Sequence, residues 1–223
     1  MNARLACVLL SLAAVTGGVT ADERPPVLSH PVVIEKPPPA FVAVNKLIRE
    51  ARCIRADFKE EKVIKVLKRP LSSSGTLIFA GKSGLYRAAK TPFAEELLVN
   101  SAGIAQRDAN GKIEKLDVEK APLAQGFIDA FLLVFSGDDK ALPAAFDLYF
   151  DGDVDAWTLG LVPKKKPLSR FISHLIVTGK KGVLESLVIL EVNGDKTTTR
   201  FSEVVTDREL TADEQERYFG WRK

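Results

Sequence analysis

Turn-forming residues recur through most of this chain at intervals too short for helices, and that spacing constrains the fold more than any other feature. Pro70 with Ser72 to Ser74, Gly81 to Gly84, Pro92, Ser101 to Gly103 and Asn110-Gly111 punctuate the first half. Between them lie short segments: Thr76 to Ala80, Leu85 to Ala89, Glu95 to Asn100, Ile104 to Arg107 and Lys112 to Val118. Ahead of these, Ile54, Ala56 and Phe58 alternate with Arg55, Asp57 and Lys59, the period-two pattern of a half-buried strand. Asn110-Gly111 is a two-residue hairpin signal. The pattern resumes at Phe146 to Phe150, Ala156 to Val162, Phe171 to Thr178, Val183 to Val192 and Thr197 to Val205, with turns at Gly179 to Gly182 and Asn193 to Asp195. The sum is about eleven antiparallel strands. So many strands in one sheet must curl and present a concave face.

Two helical regions interrupt the meander. Phe41, Val44, Leu47, Ile48 and Ala51 form a helical stripe, with Asn45, Lys46, Arg49 and Glu50 facing away, which predicts a leading helix over about 40–52. Residues 121–145 break the strand pattern after the sixth strand. Pro122 suits a first helical turn, and Leu123, Phe127, Ala130, Phe131 and Val134 mark one face that Ile128, Leu132 and Phe135 widen. Gly137 and Asp138-Asp139 end that run, and a short second helix reaches Ala145. An insert apolar around most of its girth has to bury itself, and the concave face is the available place. The fold class is therefore α+β, mainly antiparallel β. A last short helix over Ala212 to Tyr218, capped by Thr211, closes the chain.

The N-terminus carries an address. Arg4 precedes an apolar run from Leu5 to Val15, and Val19-Thr20-Ala21 is a cleavage site before Asp22. The run falls short of the ~20 residues needed to span a bilayer, so residues 1–21 read as a cleaved signal peptide and the mature protein as periplasmic. Cys7 sits too early for a lipoprotein signal, and Cys53 is the one thiol left after cleavage. Residues 22–39 hold six of the chain's 12 prolines and read as a proline-rich linker. The folded domain is expected over 40–206, with 207–223 a C-terminal tail.

Composition removes several function classes. Lys plus Arg is 32 against 29 Asp plus Glu, giving +3, without the concentrated basic field of a nucleic-acid binder. Two histidines and two cysteines leave little for a zinc site or a disulfide framework. Asp151, Asp153 and Asp155 alternate as in a calcium loop, but the later Glu and the overall spacing fail. Gly81-Lys82-Ser83-Gly84 lacks phosphate-loop spacing and no helix follows it. His174 lies inside an apolar strand and reads as structural, and Cys53 as buried at the helix end. Lys164-Lys165-Lys166 reads as a solvated turn, with anionic lipid or an acidic docking surface as the alternative. No nucleophile, base and orienting group come together, so no enzyme and no catalytic residue is expected.

The order of elements, with Phe58-Lys59-Glu60 on the first strand, Gly75 to Phe79 on the second, Gly84-Leu85-Tyr86 opening the third, Ala121-Pro122-Leu123 opening the insert and Leu187 to Leu190 late in the chain, resembles the outer-membrane lipoprotein carrier LolA and its relatives. The resemblance covers roughly residues 40–206. It departs at Glu60, where relatives have Gln, and near the cavity mouth, where relatives have Arg and Lys82 is the nearest match with Arg87 the alternative. The resemblance implies an unclosed half-barrel with a helical lid, working without cofactor or metal. It implies lipoprotein or lipid cargo, taken from an inner-membrane ATP-driven release complex and passed to an outer-membrane acceptor. The chain is expected to be a monomer that binds no nucleic acid. A specialised lipid or aryl-polyene pathway is an alternative carrier role, and a non-catalytic interaction or assembly module is the alternative outside carriage.

A carrier of this kind needs an oily lining and a stopper that refills the hollow when cargo leaves. Strand alternation nominates Phe58, Phe79, Leu98, Phe146, Leu148, Phe150, Trp157, Leu159 and Ile189 as lining. Phe127, Phe131 and Phe135, at i, i+4 and i+8, form the lid stripe, and Lys82 and Arg87 stand at the mouth. A one-residue slip in any strand would invert its face.

Overall fold

A computed structural model describes residues 24–100, 103–116, 132–136, 138, 140–206 and 208–221, with Lys82 and Leu116 described by their backbone. The signal peptide expected at 1–21 lies outside these residues, as do Phe127 and Phe131. The described chain forms one antiparallel sheet of eleven strands that does not close into a barrel. The strands are β1 (Ile54–Val63), β2 (Leu71–Phe79), β3 (Leu85–Thr91), β4 (Glu95–Asn100), β5 (Gly103–Asp108), β6 (Ile113–Leu116), β7 (Phe146–Gly152), β8 (Trp157–Pro163), β9 (Ile172–Lys180), β10 (Val183–Glu191) and β11 (Lys196–Val205). Their spatial order is β6-β5-β4-β3-β2-β1-β11-β10-β9-β8-β7. The first and last strands thus pair at the centre, with Phe58 opposite Phe201. The two edge strands, β6 and β7, are consecutive in sequence, so the chain between them joins one edge of the sheet to the other.

Helix α1 (Pro39–Glu50) opens on Pro39, whose fixed φ suits the first helical position. Phe41, Val44 and Ile48 are buried against the sheet, and Phe41 meets Phe150 edge-on with ring centres 5.6 Å apart. The expected stripe is corrected at two places. Leu47 is exposed, while Asn45 is buried and donates from Nδ2 to the Phe41 carbonyl at 3.1 Å. That bond satisfies the amide within its own helix, so burial is tolerated. Residues 132–136 are helical, and α2 (Leu142–Ala145) follows as the short second helix.

The proline-rich segment is part of the fold rather than a spacer. Val27, Leu28 and Val32 are buried. Val32 N–H donates to the Leu148 carbonyl at 2.8 Å and Phe150 N–H to the His30 carbonyl at 3.0 Å. Pro31 sits between these bonds, opposite Tyr149, where an antiparallel ladder asks for no donor. A proline therefore fits there, and the segment covers the free edge of β7.

The sheet carries a second apolar cluster on its convex face. Cys53, Ile78, Tyr86, Leu98, Ala105 and Trp221 are buried there, with Leu210, Tyr218 and Phe219 against them. Helix α3 (Ala212–Phe219) brings these C-terminal residues in, so the expected tail is a packed layer. A capping box starts α3: Glu214 N–H donates to Thr211 Oγ1 at 3.3 Å, and Thr211 N–H donates to Glu214 Oε2 at 2.9 Å. Glu214 also pairs with Arg55 at 2.8 Å, which ties the helix start to β1.

Candidate functional site

Alternation along the central strands builds a cavity on the concave face. Phe58, Glu60 and Lys62 of β1 point into it, as do Leu85, Arg87 and Ala89 of β3 and Thr197, Thr199 and Phe201 of β11. In each strand the inward residues are two apart, as a pleat demands. The cavity holds about 390 Å³, within the range of small-ligand pockets. Its floor is apolar: Leu77, Leu97, Val99 and Ile104 from one half, Leu187 and Ile189 from the other.

One end of the lining is polar and internally satisfied. Arg87 Nη2 donates to Glu60 Oε1 at 3.0 Å and to Ser73 Oγ at 2.9 Å. Thr199 Oγ1 donates to Glu60 Oε2 at 2.9 Å. Lys62 Nζ donates to Glu191 Oε1 at 2.9 Å, and Glu191 is buried. Burial pushes the Glu95 carboxyl above the usual carboxylate range, against the pull of nearby Arg87. Charges that answer one another in this way let an apolar hollow carry polar groups at its rim without leaving a buried ion alone.

The nominated residues divide into groups. Phe58, Ile189 and Arg87 line the cavity. Phe79 and Phe135 lie in the same apolar cluster, their rings 5.7 Å apart, and Phe135 also meets Phe201 at 6.2 Å. Phe146, Leu148, Phe150, Trp157 and Leu159 are on the concave side but are packed core, not walls of this cavity. Helix α1 fills that half of the hollow, as the Phe41–Phe150 contact shows. Leu98 belongs to the convex cluster with Tyr86 and Trp221. The run Leu97-Leu98-Val99 is buried throughout, so its alternation is hidden, and Leu97 and Val99 are the inward pair. Lys82, expected at the cavity mouth, lies instead in the 3-10 turn Gly81–Ser83 between β2 and β3, at the end of the sheet away from the β1–β2 and β3–β4 turns that line the cavity; its side chain is outside the description.

Sequence reading missed Leu97, Val99, Leu187 and the Glu60–Arg87 pair as a unit. The pair has a sequence signal: Arg87 stands between the inward apolar residues Leu85 and Ala89, Glu60 follows inward Phe58, and two opposite charges on one face need one another. Among the described residues no group of three or more His, Cys, Asp or Glu side chains could hold a metal ion, and no helix is long and apolar enough to cross a membrane.

Residues 39–216 match the family model described as outer membrane lipoprotein carrier protein, LolA-like. No curated protein matches the chain. Solved structures that resemble it include the complex of MucA and MucB from Pseudomonas aeruginosa, at 13% identity and a TM-score of 0.47, covering 79% of this chain and 60% of that one. A LolA superfamily protein from Nitrosomonas europaea resembles it at 8% identity and a TM-score of 0.41, covering 78% of this chain and 96% of that one.

Proposed function

The chain belongs to the LolA-like outer membrane lipoprotein carrier family, and from that premise we propose that it is a periplasmic carrier that shields an acyl chain of a lipoprotein or related lipid in its concave cavity. The observation that carries this reading is the cavity itself: about 390 Å³ floored by apolar side chains from both halves of the sheet and rimmed by charges that are already paired. Burying about ten methylenes gains about 8 kcal/mol at ~0.8 kcal/mol each, the scale of micromolar affinity before the cost of ordering. A hollow of this size suits one tail better than three. Multiply acylated cargo would need the helical run 132–136 to move aside, and Phe135 is the side chain it would withdraw from between Phe79 and Phe201. Refilling by that ring makes the net gain a difference between two burials, which keeps release feasible. Carriage of this kind requires no bond chemistry.

The test is extraction of the purified protein with organic solvent followed by mass spectrometry, together with titration of a fluorescent fatty-acyl probe. Co-purifying lipid or acylated peptide and a saturable probe signal are expected. Thr197→Trp, which places a ring at the polar end of the cavity, should weaken probe binding at least tenfold with the fold intact. A protein that takes up no probe and retains only a folded protein partner would establish the interaction-module reading instead.

A further inference from the structure

The end of the half-barrel at which the cavity opens differs in character from its walls. The pairings Lys62↔Leu71, Ala89↔Glu95 and Leu190↔Lys196 bring the β1–β2, β3–β4 and β10–β11 turns to one end. The pairing Glu191↔Ile172 brings the β8–β9 connection to the same end. Leu71, Pro92 and Phe93 from these turns line the cavity, so this end is its mouth.

Large apolar side chains stand in water there. Phe93 is 80% exposed, Val66 64% and Val192 56%, with Leu67 beside Val66 also exposed. Basic residues gather on two connections at the same end. The tip 64–70 holds Lys65, Lys68 and Arg69 and no acidic residue. The connection 164–170 holds Lys164, Lys165, Lys166 and Arg170 and again no acidic residue. Lys68, Arg69, Lys165 and Lys166 are all exposed.

Exposed apolar tips beside exposed cations at one end match one surface in both chemistry and charge. We propose that the mouth of the half-barrel docks on an anionic lipid bilayer, with Phe93, Val66 and Leu67 entering the interface and the lysines meeting lipid phosphates. Apolar tips alone would take any lipid surface, and cations alone any acidic one. Together they select a negatively charged membrane, each cation near the surface raising affinity about fivefold. Docked in this way, the mouth faces hydrocarbon, and a bound chain can pass between cavity and bilayer without crossing water. The docking surface stands on its own observations, and only its use for handing over a chain rests on the carrier reading.

The experiment is flotation of the purified protein with phosphatidylcholine vesicles, with and without phosphatidylglycerol, alongside the acyl-probe titration. The expected result is binding to the anionic vesicles only, weakened by salt. Lys68→Glu with Arg69→Glu should lower vesicle binding more than tenfold, and Leu67→Ser severalfold, while probe affinity stays at the parent value because none of the three lines the cavity. Equal binding to both vesicle types, parent-level binding by the variants, or no vesicle binding at all would overturn the docking surface. Loss of probe binding with vesicle binding intact would instead overturn the carrier reading.

Discussion

The guanidinium of Arg87 lies over the ring of Phe58, with Cζ 4.2 Å from the ring centre, while its Nη2 holds Glu60 at 3.0 Å. One side chain thus joins the apolar floor of the cavity to its polar end. Both charges are largely shielded from solvent, at 15% and 29% side-chain exposure.

Breaking this pair from one side should be costly. Arg87→Leu leaves the Glu60 carboxylate with only hydroxyl donors, and a loss of about 1–3 kcal/mol is expected from denaturant unfolding. Adding Glu60→Leu should restore most of that loss, because the stranded charge is then gone. A double variant as unstable as the single one would show that Arg87 acts through packing on Phe58.

Phe135→Ala separates stability from ligand affinity. Removal of a ring held between Phe79 and Phe201 should cost about 3 kcal/mol or more. On the proposed carrier function it also removes the side chain that would compete with an acyl tail for the hollow, so the acyl probe should bind more tightly than to the parent. Weaker or unchanged probe binding would mark Phe135 as fixed core.

Gly179 has no room for a methyl group. A Cβ there would stand 2.2 Å from Trp157 Cζ2 and 2.4 Å from the Val183 carbonyl oxygen. Gly179→Ala should push the indole from its place, break its bond from Nε1 to the Lys181 carbonyl, now 2.8 Å, and lower stability by about 1–3 kcal/mol. Thermal unfolding and tryptophan emission would report both effects.

The docking of α3 should depend on acid. Backbone donation from Thr211, with help from Arg55, lowers the Glu214 carboxyl from 4.5 to about 2. A lowered pKa in the folded state means that this contribution is fully present above the unfolded value near 4.5 and is lost as pH falls from there towards 2. Emission from Trp221 in a Trp157→Phe background should therefore change across that window, before the sheet unfolds. In Glu214→Gln the change should be absent, with α3 already loosened at neutral pH.

Strand number and the succession of neighbouring hairpins were legible because turn residues and period-two alternation are local properties, whereas the long-range pairing of β1 with β11 was not. Face assignment failed where both sides of the sheet are covered. Leu97-Leu98-Val99 reads as one apolar run because Trp221 and Tyr218 bury the convex side too, and nothing near Leu98 announces a helix more than a hundred residues later. Trp157, Phe146 and Phe150 looked like cavity wall because helical periodicity identifies α1 without saying which half of the hollow it occupies. The prolines of 25–39 argued against regular pairing, yet an edge strand asks only every second residue for a donor. Arg87 was found as an alternative at the mouth, but its partner Glu60 registered only as a departure from the expected Gln.

The seam between β1 and β11 has a consequence for how such a protein comes into being. Its two central strands are the first and last strands of the sheet to be synthesised, separated by well over a hundred residues. The left and right halves can each zip up as local hairpins, but the hollow has no middle until the final strand arrives. A chain stalled before Lys196 would hold two half-sheets with oily inner faces and no shared interior. The cavity between the halves is therefore completed in one step, when β11 reaches β1.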